Sequence, residues 1–372
     1  MKKSFKTRVR RALPVFFTFL QLSFTCAANS TDSLDIKIGQ MIMIGINDRT
    51  QVADSDVLLA EIRGHKLGGI VLFEKNIAQM DSKNTLQQMI KALQSPAQIP
   101  LLVTIDEEGG KVHRLKEKYG FVAMPSAAYL GNLDNADSTF YYNNRLAAEL
   151  AELGFNFNYA PSVDLAVNPQ NTVIVQRERS FSARPDLVSK HALLCIKAHH
   201  QNGVKTILKH FPGHGSSNAD SHHGIVEVTE TWDFQELFPY SNILRSGSCD
   251  AIMTAHIINR NWDNSLLPAT LSKKVIDGIL RGLLRYNGVV FSDDMQMHAI
   301  SKEYGLDNAL ALAINAGVDI VMFANNVSGK DKPVSATEVH SRIRKLVKTG
   351  KIPQARINES YNRIRLLKNK TL

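Results

Sequence analysis

The chain has 372 residues, 44% hydrophobic and 21% charged, with a formal net charge of +9. This is the composition of an ordinary globular protein and excludes a fibrous or disordered chain. The charge does not point to a nucleic-acid partner: six positive residues lie within Met1–Arg11, and removing that segment takes the formal charge from +9 to +3.

That first segment contains Lys2, Lys3, Lys6, Arg8, Arg10 and Arg11, and no acid. An apolar run follows from Ala12 to about Cys26, then Ala27 and Ala28, then the polar Asn29-Ser30-Thr31. A basic region, an apolar core and small residues, in that order, predict a secretory leader over residues 1–28. The apolar run is short for a bilayer span, so the mature chain is expected to be exported, periplasmic or secreted, without stable membrane insertion. Ser23-Phe24-Thr25 lacks the small residues expected before a lipid-modified Cys26. Cys195 and Cys249 stay in the mature chain. Export permits a disulfide between them, but their apolar, element-bound settings favour two buried free thiols.

From residue 29 onward, short apolar runs alternate with helical patterns. The runs are Met41 to Ile46, Gly69 to Phe73, Leu101 to Ile105, Phe155 to Ala160, Thr206 to Phe211, Ala251 to Ala255, Val289 to Ser292 and Ile320 to Phe323. Continuous apolar strands are what a parallel sheet covered on both faces requires. Between them, Leu146, Ala147, Leu150 and Leu153 end at Gly154, and Leu187, His191, Leu194, Cys195 and Ala198 end near Gly203. Such three-to-four spacing with a terminal glycine predicts helices. Eight strand–helix repeats predict an α/β fold, a single-domain (β/α)₈ TIM-type barrel over residues 29–372, with Pro353 to Leu372 as a final helix. A doubly wound open sheet is the alternative; it is disfavoured because no glycine-rich dinucleotide fingerprint follows the first strand.

A barrel gathers its chemistry where strands end and βα loops begin. The third strand runs into Asp106-Glu107-Glu108-Gly109-Gly110-Lys111-Val112-His113-Arg114. Adjacent acids repel one another, so they argue for recognition rather than stability: a carboxylate accepts from sugar hydroxyls, and Arg114 offers a donor fork. The fifth strand ends in Lys209-His210-Phe211-Pro212-Gly213-His214-Gly215, followed by Asp220-Ser221-His222-His223. Histidine exchanges protons near neutral pH, and an aspartate on one ring nitrogen fixes its tautomer. A metal reading of His210, His214, Asp220 and His222 is disfavoured, because Pro212 and Gly213 keep the His-x₃-His spacing off a helix. His214 reads better as a loop pin. The seventh strand ends in Ser292-Asp293-Asp294-Met295. A carboxylate at a barrel mouth can attack an anomeric carbon, and Asp294 suits a helix N-cap.

Taken together, these residues resemble the glycoside hydrolase family 3 enzymes of the single-domain β-N-acetylhexosaminidase type. The likeness runs from Ile38-Gly39-Gln40-Met41 to Ser292-Asp293-Asp294-Met295 and is most specific at Lys209–Gly215 with Asp220-Ser221-His222. It implies a (β/α)₈ barrel and retaining hydrolysis of terminal β-linked N-acetylglucosamine, often from peptidoglycan fragments. Asp293 would be the nucleophile, His222 the acid/base and Asp220 its partner. Asp106, Arg114, Arg179, Lys209 and His210 would contact a carbohydrate substrate, with no metal and no cofactor. The family usually has Asp-Gln-Glu-Gly-Gly-Arg where this chain has Glu107 and Lys111, so a change of local charge beside Asp106 is expected. The other readings are a β-glucosidase-type member, whose usual acid/base is a glutamate on a second domain, and a non-catalytic exported sugar-binding barrel.

Overall fold

The computed structural model describes residues 32–218, 224, 226–326 and 332–369. Eight parallel strands close a barrel: β1 (Ile42–Gly45), β2 (Gly69–Leu72), β3 (Leu102–Ile105), β4 (Phe157–Asn158), β5 (Lys205–Phe211), β6 (Ala251–Thr254), β7 (Val289–Asp294) and β8 (Ile320–Phe323). Each pairs with its neighbour in sequence, and β8 returns to β1 through Ile42 opposite Val321 and Ile44 opposite Phe323. Every apolar run predicted as a strand carries one. The strands are rich in Ile, Val, Leu, Met and Phe, and all but the ends of β5 and β7 are buried.

The fourth strand is shorter than its run of Phe155 to Ala160. Two asparagine side chains replace ladder bonds beside it. Asn156 Oδ1 accepts from the Val103 N–H at 2.8 Å, and Asn158 Oδ1 from the Glu107 N–H at 3.0 Å. Pro161, which has no N–H to donate, follows directly.

Helices cover the barrel. The two patterns read from the sequence form Ala136–Leu153 and Pro185–Gln201; Gly154 caps the first at φ 94, a left-handed position that glycine occupies without a Cβ clash. A last helix, Gln354–Asn369, packs under the barrel. Phe157 and Phe291 meet inside it with ring centroids 6.5 Å apart. No described helix is long and apolar enough to cross a membrane. Cys195 and Cys249 are free, the first buried and the second half-buried. The leader predicted over residues 1–28 lies outside the described residues.

Two register irregularities fall where the barrel must aim side chains. One separates Leu208 from Phe211 on β5, and the other separates Ile320 from Met322, opposite the end of β7. Bulges of this kind re-aim side chains beside active sites. Here they flank Lys209, His210 and Asp293.

Candidate active site

The loop after β3 begins with three acids that divide between two sides. Glu107 is fully buried. It accepts from the backbone N–H groups of Arg114 and Leu115, both at 3.0 Å, and pairs with His113 Nδ1. Burial works against charging His113, but its contact with Glu107 raises its pKa. The local charge change expected from Glu107 is therefore answered within the loop, by a histidine six residues on. The turn itself needs its two glycines: Gly109 and Gly110 lie at φ 97 and 55, and a Cβ on Gly109 would meet the Pro125 carbonyl oxygen at 2.3 Å.

Asp106 and Glu108 instead converge on cations. Lys209 Nζ lies 2.7 Å from Asp106 Oδ1 and 2.6 Å from Glu108 Oε1, with its side chain 1% exposed. Arg179 meets Glu108 in a fork, Nε to Oε2 at 2.9 Å and Nη2 to Oε1 at 2.7 Å. Arg114 Nη2 reaches Asp106 Oδ2 at 3.4 Å. Burial alone would push the Asp106 carboxyl up, but the charges of Lys209, Arg114 and Arg179 hold it well below the usual carboxylate range. Glu108 is held down against burial in the same way, by Arg179 and Lys209. Both stay ionised and are acceptors only, and Asp106 is the one that faces the cavity.

His210 closes the set. Its Nδ1 contacts Asp164 Oδ2 at 2.7 Å, and Arg179 Nη2 donates to its Nε2 at 3.1 Å. A guanidinium only donates, so the ring proton belongs on Nδ1, facing Asp164. Asp164 also accepts from the His214 N–H at 2.8 Å and from Ser162 Oγ at 3.0 Å. Burial opposes its charge, while His210 and His214 hold the carboxyl down.

The segment 210–217 is a packed loop. A Cβ on Gly213 would meet the Glu236 Cβ at 2.6 Å, and one on Gly215 the Leu165 carbonyl oxygen at 1.9 Å, so both glycines serve close approach. Glu236 Oε2 accepts from the Gly215 N–H at 2.8 Å. His214 is 2% exposed, and burial together with the charge of His210 lowers its pKa to about 4. Its Nδ1 contacts Ser217 Oγ at 2.7 Å. It therefore pins its loop, as expected, and it also lines the cavity described next.

One cavity of about 380 Å³ opens at the C-terminal mouth of the barrel. Asp106, Arg114, Arg179, Lys209, His210 and Asp293 all line it. Tyr159, Met253 and Met322 supply barrel wall. Its size falls in the range of about 300–1,000 Å³ common to small-molecule sites. Asp293 is the penultimate residue of β7, and its charge reaches both Tyr159 and His214. Asp294 caps no helix. The following helix starts at His298, and Asp294 Oδ1 accepts from the N–H groups of Gln296 and Ala324, both at 3.0 Å, tying the end of β7 to β8. Asp220 and His222 lie outside the described residues.

Sequence reasoning missed Asp164, Tyr159 and Arg177, the role of Glu108, and the place of His214 in the cavity wall. Asp164 carried a readable signal, an acid a few residues after β4 at the barrel mouth. Glu108 carried none that separated it from Glu107.

Residues 33–367 match the family described as Glycosyl hydrolase family 3 N terminal domain. The chain is 33% identical over 335 residues to Beta-hexosaminidase A of Pseudoalteromonas piscicida, covering 83% of this chain and 54% of that protein, so it spans about half that relative's length. It is 34% identical over 311 residues to a Beta-hexosaminidase of Idiomarina loihiensis, covering 81% of this chain and 89% of the relative. Among solved structures, a glycoside hydrolase family 3 beta-N-acetylglucosaminidase from Paenibacillus sp. superposes with a TM-score of 0.82 at 33% identity, covering 91% of this chain and 63% of the other. A Beta-N-acetylhexosaminidase from Beutenbergia cavernae superposes with a TM-score of 0.80 at 27% identity, covering 92% and 100%.

Proposed function

The chain belongs to glycosyl hydrolase family 3, and on that footing we propose that it is a retaining exo-β-N-acetylhexosaminidase that removes terminal β-linked N-acetylglucosamine from glycans such as peptidoglycan fragments. The observation that carries this reading is the shared cavity. Asp293 lines it together with Asp106, Lys209, Arg179 and His210, a set that keeps ionised acceptors and fixed donors around a space of ligand size.

The chemistry runs in two steps. Asp293 attacks the anomeric carbon as the glycosidic C–O bond breaks, and the imidazolium of His222 gives its proton to the leaving oxygen. A covalent glycosyl-enzyme results. Water then attacks the same carbon, His222 takes a proton from that water, and the Asp293 carboxylate leaves. Asp220 holds the His222 ring in the tautomer and charge state each step needs. Asp106, held ionised by its cations, accepts from hydroxyls of the bound sugar; Lys209 and Arg114 keep that carboxylate oriented and, with Arg179, supply the complementary donors, while His210 lines the cavity and accepts from Arg179.

Hydrolysis of nitrophenyl β-N-acetylglucosaminide beside the matching β-glucoside tests this. The acetamido sugar should be preferred, with kcat down by roughly 10³-fold or more in Asp293→Ala and by about 10²- to 10⁴-fold in His222→Ala. Activity on the glucoside alone would keep the hydrolase and replace the substrate. Full activity in Asp293→Ala would remove the mechanism, and no activity at all would leave a sugar-binding barrel. The leader predicted over residues 1–28 places the mature protein beyond the inner membrane, in the periplasm or outside the cell. Cell fractionation should find a shortened chain there; an uncleaved cytoplasmic chain would remove that placement.

A further inference from the structure

The cations lining the cavity differ in what they hold. Lys209 pairs with Asp106 and Glu108, Arg179 with Glu108, and Arg114 with Asp106. Their side chains are 1%, 10% and 30% exposed, a gradient from floor to rim. Arg177 lines the same cavity, is exposed, and has no ion-pair partner among the described residues.

Its backbone is nevertheless fixed. Lys111 Nζ donates to the Gln176 carbonyl at 2.9 Å and lies 3.0 Å from Glu178 Oε1, so one lysine grips the residues on both sides of Arg177. The loop is tied further by the Gln176 N–H to the Asn171 carbonyl at 2.9 Å and the Arg179 N–H to the Ile174 carbonyl at 3.0 Å. Asn171 Nδ2 then joins it to the His214 loop, through the His214 carbonyl at 2.8 Å. Lys111 also engages the acid next to Arg177 in sequence, Glu178.

An exo-acting site holds the terminal sugar at the floor and the departing portion at the rim. A guanidinium held at that rim, with its neighbouring acid already occupied, offers a charged fork to whatever leaves. We infer that Arg177 is a specificity-determining residue that recognises a negatively charged group, a carboxylate or its equivalent, on the leaving side of the substrate. This inference rests on the hydrolase reading above and adds to it a charge preference set by one residue.

The test uses two probes, nitrophenyl β-N-acetylglucosaminide and its ring-carboxylated analogue, with wild type, Arg177→Ala and Arg177→Lys. Arg177→Ala should lower kcat/KM on the carboxylated probe by about 3- to 10-fold more than on the plain one, chiefly through KM, as an exposed charge-assisted contact predicts. Arg177→Lys should keep part of the discrimination, because the point charge persists while the fork is lost. High salt should shrink the wild-type advantage toward that of Arg177→Ala. Equal losses on both probes, or a discrimination unmoved by either substitution, would overturn the assignment while leaving the hydrolase intact. A wild type inactive on both probes would overturn the hydrolase reading and this inference with it.

Discussion

The two ends of the barrel both bury charge, and they use it in opposite ways. At the bottom, beneath the start of β8, Asp319 is fully buried and accepts from Arg281 at 3.0 Å, Arg356 at 2.6 Å, Arg363 at 3.2 Å and Ser360 at 2.8 Å. Nearby, Lys368 donates to Gln40 Oε1 at 2.6 Å, the Gly68 carbonyl at 2.8 Å and the Pro100 carbonyl at 2.7 Å. Asp319 and Lys368 are buried, no cavity opens beside them among the described residues as one does at the top, and the three arginines close the floor around Asp319. At the top, Asp106, Lys209 and Arg179 are bonded as densely, yet each also lines a cavity. The same chemistry is a staple where it is closed off and a receptor where one side is left open. A buried charge cluster therefore marks function only when it fronts a space.

The largest effect that tests this contrast is at the floor. Asp319→Ala leaves three arginines without their common acceptor, and unfolding by urea should show a loss of about 3–5 kcal/mol. The folded fraction should keep its kcat. A fall in kcat without loss of stability would break the division between the two ends.

A smaller effect sharpens the comparison at the top. Burial pushes the Glu236 carboxyl up to about 8, and Asp164 adds to the push. The unfolded chain releases this proton near the ordinary value of 4.5. The contribution of Glu236 to stability is thus fully present below pH 4.5 and is lost as pH rises through about 8. Thermal melts should show the wild type losing Tm relative to Glu236→Gln across that window. Parallel curves would mean that Glu236 is already ionised, or already neutral, throughout.

Much of this was legible in the sequence, and the failures share a cause. Periodicity located all eight strands, because a parallel barrel buries both faces and leaves unbroken apolar runs. The rule that chemistry follows strand ends located Asp106, Lys209 and Asp293, each within a residue or two of an apolar run. It could not divide labour among Asp106, Glu107 and Glu108, because direction after a strand is decided by partners distant in sequence: Lys209 and Arg179 for one side, Asn158 and His113 for the other. Arg179 was identified by family resemblance alone, since its meaning depends on Glu108, 71 residues earlier. Asp294 was misread as a helix cap because its second acceptor contact, the Ala324 N–H, lies on the next strand. Asp164, four residues past the fourth apolar run, was missed because the partners that give it meaning, His210 and His214, lie 46 and 50 residues further on.

The seal beneath the barrel also sets an order of events in time. Arg356, Ser360, Arg363 and Lys368, which complete it, all belong to the helix Gln354–Asn369. During vectorial synthesis Asp319 emerges well before them, with only Arg281 already made to meet its charge. The floor of the barrel is therefore complete only when that helix is in place. A chain that ended before this helix would carry all eight strands around an acid met by Arg281 alone.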